Sequence, residues 1–248
     1  MDNWKNLLYE SYVASGQALA GGRDSLPAHA LDPYFQQLVS RHLAPDRELA
    51  IADVACGHGA LLSCLKEAGY RNLQGVDVSA EQVALAHSAG VTEAQCGDMG
   101  AFLRGNTGGF DVIFLMDILE HLERPELFEV LPLVRSALKE SGRVVIHVPN
   151  AEGIFGMGVR YGDLTHETCF TARSMRQLLA STGFEKVECF EDRPVGRGLK
   201  GLVRAAMWTV MTWPWRLLLL VETGRGGGPP ILSRNLLVVA DRTTVRQS

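Results

Sequence analysis

The stretch Asp53-Val-Ala-Cys-Gly-His-Gly59 decides the fold. It leaves a short apolar run at residues 49–54 and enters a second one at 60–68, which Gly69 ends. That order reads as a strand, a glycine-bearing turn and a helix. Glycine at such a junction lets the backbone approach a ligand closely, while the helix N-terminus offers N–H donors. A dinucleotide fingerprint would place a third glycine three residues after the second, but position 62 is Leu. The small residues are Ala55, Gly57 and Gly59, and an acidic residue, Asp53, opens the turn. A carboxylate there repels a pyrophosphate and attracts a cation.

Working outward, residues 73–76 read as a second strand, ended by Asp77 and followed by a helix that Ser79 caps. A carboxylate at that strand end can accept both hydroxyls of a ribose. A weak strand at 91–95 runs into Gly97-Asp98-Met99, a short acidic turn suited to an adenine amino group. Further strands are expected at 110–116, 142–148, 184–190 and 235–240, with helices at 125–139 and 171–181. Helices are also expected at 4–20 and from Asp32-Pro33 to before Pro45, and residues 224–230 read as a flexible loop. Alternating strands and helices imply a parallel sheet covered on both faces. The acidic opening of the first turn favours S-adenosylmethionine, which carries a sulfonium and an ammonium, over NAD.

The chain has 248 residues, 46% hydrophobic and 21% charged, which excludes a disordered or fibrous protein. Its net charge of −4 hides an asymmetry: residues 193–248 carry +7 and residues 1–192 carry −11. An acidic body argues against nucleic acid as a substrate. The five cysteines are scattered and include no CxxC pair, which points to a reducing, cytoplasmic setting rather than a disulfide framework or zinc cluster. The N-terminus shows no basic region followed by an apolar run, so no secretory signal is expected.

Three turns in order, each after a strand, make the chain similar to the class I S-adenosylmethionine-dependent methyltransferases over about residues 49–192. The resemblance also rests on Gly75-Val-Asp-Val-Ser79, on the segment from Phe110 through Asp117, Glu120 and His121 to Leu122, on Ser141-Gly-Arg-Val-Val-Ile-His-Val-Pro149 and on Phe184. It implies an α/β, Rossmann-like fold with a seven-stranded, mostly parallel sheet whose last strand is antiparallel. It further implies a helical lid at 1–45, a cofactor-binding core at 46–192, and an insertion plus the final strand at 193–248. By the same resemblance Asp53, Ala55, Gly57 and Gly59 surround the methionine part of S-adenosyl-L-methionine. Asp77 takes the ribose, Asp98 and Met99 the adenine, and Val78 and Met116 complete the cofactor-binding set. Ala55 departs from the glycine usual at its position.

Asp117, Glu120 and His121 follow the fourth strand at the carboxyl edge, where open α/β sheets place their chemistry. Spacings of three and four put their side chains on one face if the segment turns helically. His166, in the loop after the fifth strand, can converge on them. Two carboxylates and two imidazoles suit a divalent metal such as Mg²⁺. Similar clusters occur in ubiquinone-pathway O-methyltransferases and small-RNA 2′-O-methyltransferases. Alternatively His121 or His166 takes the acceptor proton as a catalytic base, or the cluster only braces the helix beside the cofactor.

Residues 205–221 are the most hydrophobic in the chain, yet fall short of the roughly 20 that span a bilayer. Pro214 and Arg216 interrupt them. Either they form a pair of helices packed on the sheet or over the acceptor pocket, or residues 197–221 contact an anionic membrane peripherally through Trp208, Trp213 and Trp215. The tail resembles that of surface-polysaccharide-associated methyltransferases, which implies a small-molecule or glycan acceptor, lipid-linked sugars included, at the inner face of the membrane. The expected reaction is O-methylation. N- or C-methylation of a small metabolite, or a non-catalytic cofactor-binding scaffold, are the alternatives.

Overall fold

Strands buried on both faces are near-continuous apolar runs, and such runs form the centre of this molecule. A computed structural model describes residues 33–194, 198–224 and 230–242. The helix expected at 4–20 and most of the loop expected at 224–230 lie outside these residues. Strand β1 (Ala50–Val54) lies parallel between β2 (Asn72–Asp77) and β4 (Phe110–Met116). Beyond β2 comes β3 (Ala94–Cys96), and beyond β4 comes β5 (Leu138–Pro149), all parallel. Strand β7 (Asn235–Asp241) runs antiparallel between β5 and β6 (Glu185–Glu191). The order β3-β2-β1-β4-β5-β7-β6 makes seven strands with the last one reversed, as the resemblance implied. Neighbours on either side of β1 lead away in opposite directions, so a crevice opens at the carboxyl ends of β1 and β4.

Alternate residues of each strand feed two hydrophobic cores, one on each face. Ala52, Val54, Ile113, Leu115, Val144 and Ile146 point to one face. Ile51, Phe114 and Val145 point to the other. The first face is covered by α4 (Met99–Gly105), α5 (Arg124–Ala137) and α7 (Ala172–Ser181) through Phe102, Leu131 and Leu178. The second is covered by α1 (Pro33–His42), α2 (Ala60–Glu67) and α3 (Ala80–Ser88) through Leu38, Leu62 and Val83.

Two helices were not expected, and one expectation needs correction. The acidic turn after the third strand continues into α4, a helix that its glycines at 100 and 105 hide from propensity reasoning. A short helix, α6 (Gly156–Arg160), interrupts the loop after β5. The apolar tail is not a pair of helices packed on the sheet. It is one long helix, α8 (Gly198–Thr223), in which only Gly201 and Thr212 are buried.

Candidate active site

The turn after β1 is built from left-handed backbone. Ala55, Gly57 and Gly59 have φ of 61°, 52° and 79°. A side chain at Gly59 would place its Cβ 3.0 Å from Val91 Cγ1 and 3.2 Å from Ala86 Cβ, so glycine is required there for space as well as for φ. Ala55 takes the same backbone region with a Cβ, which costs about 1 kcal/mol relative to glycine. Asp77 fastens the turn: its Oδ2 accepts from Gly57 N at 2.8 Å and its Oδ1 from Ser79 N at 2.9 Å. Each oxygen retains a second lone pair for a ribose hydroxyl. Val78 beside it is exposed.

Asp53 is buried at the end of β1, and its Oδ1 has no hydrogen-bond partner. Burial, reinforced by the neighbouring Asp77, pushes its carboxyl up to about 8. An unpaired buried carboxyl oxygen facing a narrow glycine turn is what a cationic ligand would satisfy. Asp98 lies at the carboxyl edge of β3 and caps α4, its Oδ1 accepting from Ala101 N at 2.7 Å. Met99 follows it half-buried against the first core, and Met116 lies at the end of β4, half-buried against the second.

The acid–histidine cluster forms where the chain leaves β4. Asp117 takes φ of 54°, and a single 3₁₀ turn over Leu119–His121 follows. The loop after β5 is stitched to this turn by the Glu120 carbonyl, which accepts from Glu167 N at 2.7 Å and Thr168 N at 3.1 Å. Ligand atoms of Glu120, His121 and His166 then lie within 4.8 Å of one another. The imidazole rings of His121 and His166 meet edge to face, with centroids 4.7 Å apart.

Hydrogen bonds fix which nitrogen of each ring carries the hydrogen. Thr165 Oγ1 donates to Asp163 Oδ1 at 2.7 Å, so His121 Nδ1, 2.8 Å from that hydroxyl, must be the donor to it. His166 Nδ1 lies 3.1 Å from the Val159 carbonyl, which can only accept. Both rings therefore carry hydrogen on Nδ1 and a free lone pair on Nε2. Burial, with His166 nearby, pushes His121 down to about 4, so this imidazole is neutral at ordinary pH. Glu120 Oε2 is buried without a partner, and burial beside Asp117 drives its carboxyl well up. Glu120, His121 and His166 are thus grouped closely enough that they could hold a metal ion.

Asp117 was expected in this set, but its carboxylate is engaged elsewhere. Its Oδ1 lies 2.6 Å from Nδ1 of the buried His147, whose Nε2 lies 3.3 Å from Asp192 Oδ2. Burial alone would lower His147, but the two carboxylates outweigh it and raise it to about 9. The result is a buried imidazolium held between two aspartates, and it pins the backbone that leads into the cluster. Asp163 and Thr165, which orient His121, escaped sequence reasoning. The signal was present as an Asp-x-Thr turn, in which Asp163 Oδ1 also accepts from Thr165 N at 2.8 Å.

Residues 28–189 match the family model described as a methyltransferase domain. Among curated proteins, the chain is 30% identical over 142 residues to a ubiquinone biosynthesis O-methyltransferase of Colwellia psychrerythraea. That match covers 51% of this chain and 56% of the relative, so the chain spans about half the length of this relative. Among solved structures, an S-adenosylmethionine-dependent methyltransferase of Archaeoglobus fulgidus superposes with a TM-score of 0.62 at 18% identity, covering 86% of this chain and 94% of its own. A Burkholderia thailandensis 1,6-didemethyltoxoflavin N1-methyltransferase, solved with S-adenosylhomocysteine, superposes with a TM-score of 0.61 at 16% identity. It covers 97% of this chain and 89% of its own. Likeness at these identities concerns the fold.

Proposed function

Given that this chain belongs to the methyltransferase-domain family, we propose that it transfers a methyl group from S-adenosylmethionine to a hydroxyl oxygen of a small-molecule or glycan acceptor. S-adenosylmethionine supplies an electrophilic methyl group on a sulfonium, so the protein's task is to align the acceptor, exclude water and manage one proton. Asp53 meets the positive groups of the cofactor, Asp77 the ribose, and Asp98 with Met99 the adenine. The glycine turn lets the backbone close on the methionine part, with Val78 and Met116 beside it.

The observation that carries the choice of oxygen is the set Glu120, His121 and His166. These residues would hold a divalent ion, whose chemistry would be to make an acceptor hydroxyl more acidic. Two imidazoles and one carboxylate suit Mn²⁺ or Zn²⁺ better than the harder Mg²⁺. A histidine held down near 4 is too weakly basic to deprotonate an alcohol efficiently by itself, which favours ligation over the base role. Around the cluster, the loop and helix after β5 expose Phe155, Met157, Tyr161 and Leu164. This rim supports an acceptor with an apolar part, and a lipid-linked sugar at the inner face of a membrane is the finer form of the reading. The five free cysteines accord with a reducing, cytoplasmic setting.

The test is release of S-adenosylhomocysteine with a panel of hydroxylated acceptors, run alongside cofactor binding by calorimetry. Glu120→Gln and His166→Ala should each lower turnover by about ten- to a hundredfold while cofactor affinity holds. Full turnover in both His121→Ala and His166→Ala would overturn the assignment.

A further inference from the structure

Helix α8 is amphipathic the wrong way round for a protein in water. Its least exposed residues are Gly201, Ala205, Trp208, Thr212 and Arg216, which recur every three or four positions and so form one stripe. That stripe is small or polar at four of its five positions. Arg216 on it donates to both carboxylate oxygens of Glu191, at 2.8 and 3.0 Å, and to the Pro230 carbonyl at 2.9 Å. The cation that breaks the apolar run in the sequence is thus turned toward the body and neutralised. The opposite side of the helix presents Leu199, Val203, Val210, Leu217 and Val221, all exposed. A surface helix normally does the reverse, burying its apolar stripe and wetting its polar one.

We infer that α8 is a membrane-seating helix that lays its outward apolar side into the surface of an anionic lipid bilayer. Three observations favour lipid over a protein groove. First, Leu217, Leu218, Leu219, Leu220 and Val221 are all exposed, and five consecutive residues run through more than one helical turn. A protein groove covers one stripe, whereas fluid acyl chains cover every side of a helix end that protrudes from the body. Second, Trp213 and Trp215 are exposed on the same segment, and tryptophan favours the headgroup boundary. Third, exposed Lys200 and Arg204 lie near one end of the helix, within a C-terminal region of net charge +7, which complements anionic headgroups. No helix among the described residues is long and apolar enough to cross a membrane, so the seating is interfacial. This inference does not depend on which atom the pocket methylates.

The test uses the full chain and vesicles of phosphatidylcholine with or without phosphatidylglycerol. Co-sedimentation is expected with the anionic vesicles, weakening as salt rises, together with a blue shift of tryptophan emission. The outward triple variant Val203→Glu/Val210→Glu/Leu217→Glu should lower vesicle partitioning by at least about tenfold. Its cofactor affinity, measured in parallel, should stay at the wild-type value, which shows that the body is folded. The inference is overturned if wild type ignores both kinds of vesicle, or if the variant partitions as wild type does. It is equally overturned if wild type is a dimer that ignores vesicles and the variant is a monomer, since α8 would then join two copies.

Discussion

Replacing Asp53 by Asn changes one oxygen for one nitrogen at the buried end of β1, and should change how cofactor binding responds to pH. With its carboxyl pushed up to about 8, Asp53 in the free protein is roughly nine-tenths protonated at neutral pH. A cationic ligand binds the carboxylate, so the proton must leave on binding. Each pH unit below that value costs about 1.4 kcal/mol, or tenfold in affinity. Between about pH 8 and pH 6 protonation of Asp53 alone should therefore raise the wild-type Kd for S-adenosylmethionine by about fiftyfold, since the carboxyl is already half protonated at pH 8. Calorimetry in buffers of different ionisation enthalpy should count roughly 0.9 proton released per cofactor near pH 7. The cofactor's own amino group titrates near 8 and contributes to both proteins, so the difference between wild type and Asp53→Asn isolates the carboxyl. The variant should bind more weakly at high pH and lose the slope below about pH 8. Equal slopes in the two proteins, with no excess proton release from wild type, would refute the idea that Asp53 meets the cofactor's positive charge.

Other outcomes follow from the same geometry. Gly59→Ala forces a Cβ into the left-handed region and against Val91 and Ala86, so thermal unfolding should show a loss of at least about 1–2 kcal/mol, with weakened cofactor binding. Ala55→Gly should do the opposite or leave stability unchanged, because the gain in φ freedom offsets the greater entropy of the unfolded chain. His147 is raised in the folded protein from 6.5 to about 9. Its contribution, of order 3 kcal/mol, is therefore complete below about pH 6.5 and lost as pH rises through about 9. Urea unfolding across that range should show the decline in wild type and its absence in His147→Gln.

The glycine turn, Asp77 and the strand–helix alternation were legible in the sequence because each depends on residues close together in the chain. Buried parallel strands such as Phe110–Met116 announce themselves as unbroken apolar runs. What the sequence hid depends on distant pairing. Asp117 reads as one of four ligands by its spacing, yet the fold brings Nδ1 of His147 to 2.6 Å from its Oδ1 and engages it there instead. Composition alone leaves helix α8 open between a helix packed on the body and one that meets a membrane. Only the placement of Glu191 opposite Arg216 reveals that its polar stripe faces inward. The convergence of His166 on His121 was anticipated from loop position, whereas the tautomers that make both rings useful required the Thr165 hydroxyl and the Val159 carbonyl.

The central claim is that Glu120, His121 and His166 form a site for the ion that prepares the acceptor oxygen. Electron paramagnetic resonance titration of Mn²⁺ into the full chain tests it directly. The account predicts about one tightly bound ion per chain, lost in Glu120→Gln and in His166→Ala, with affinity rising with pH as the Glu120 carboxyl gives up its proton. Wild type that binds no more Mn²⁺ than the two variants would contradict it.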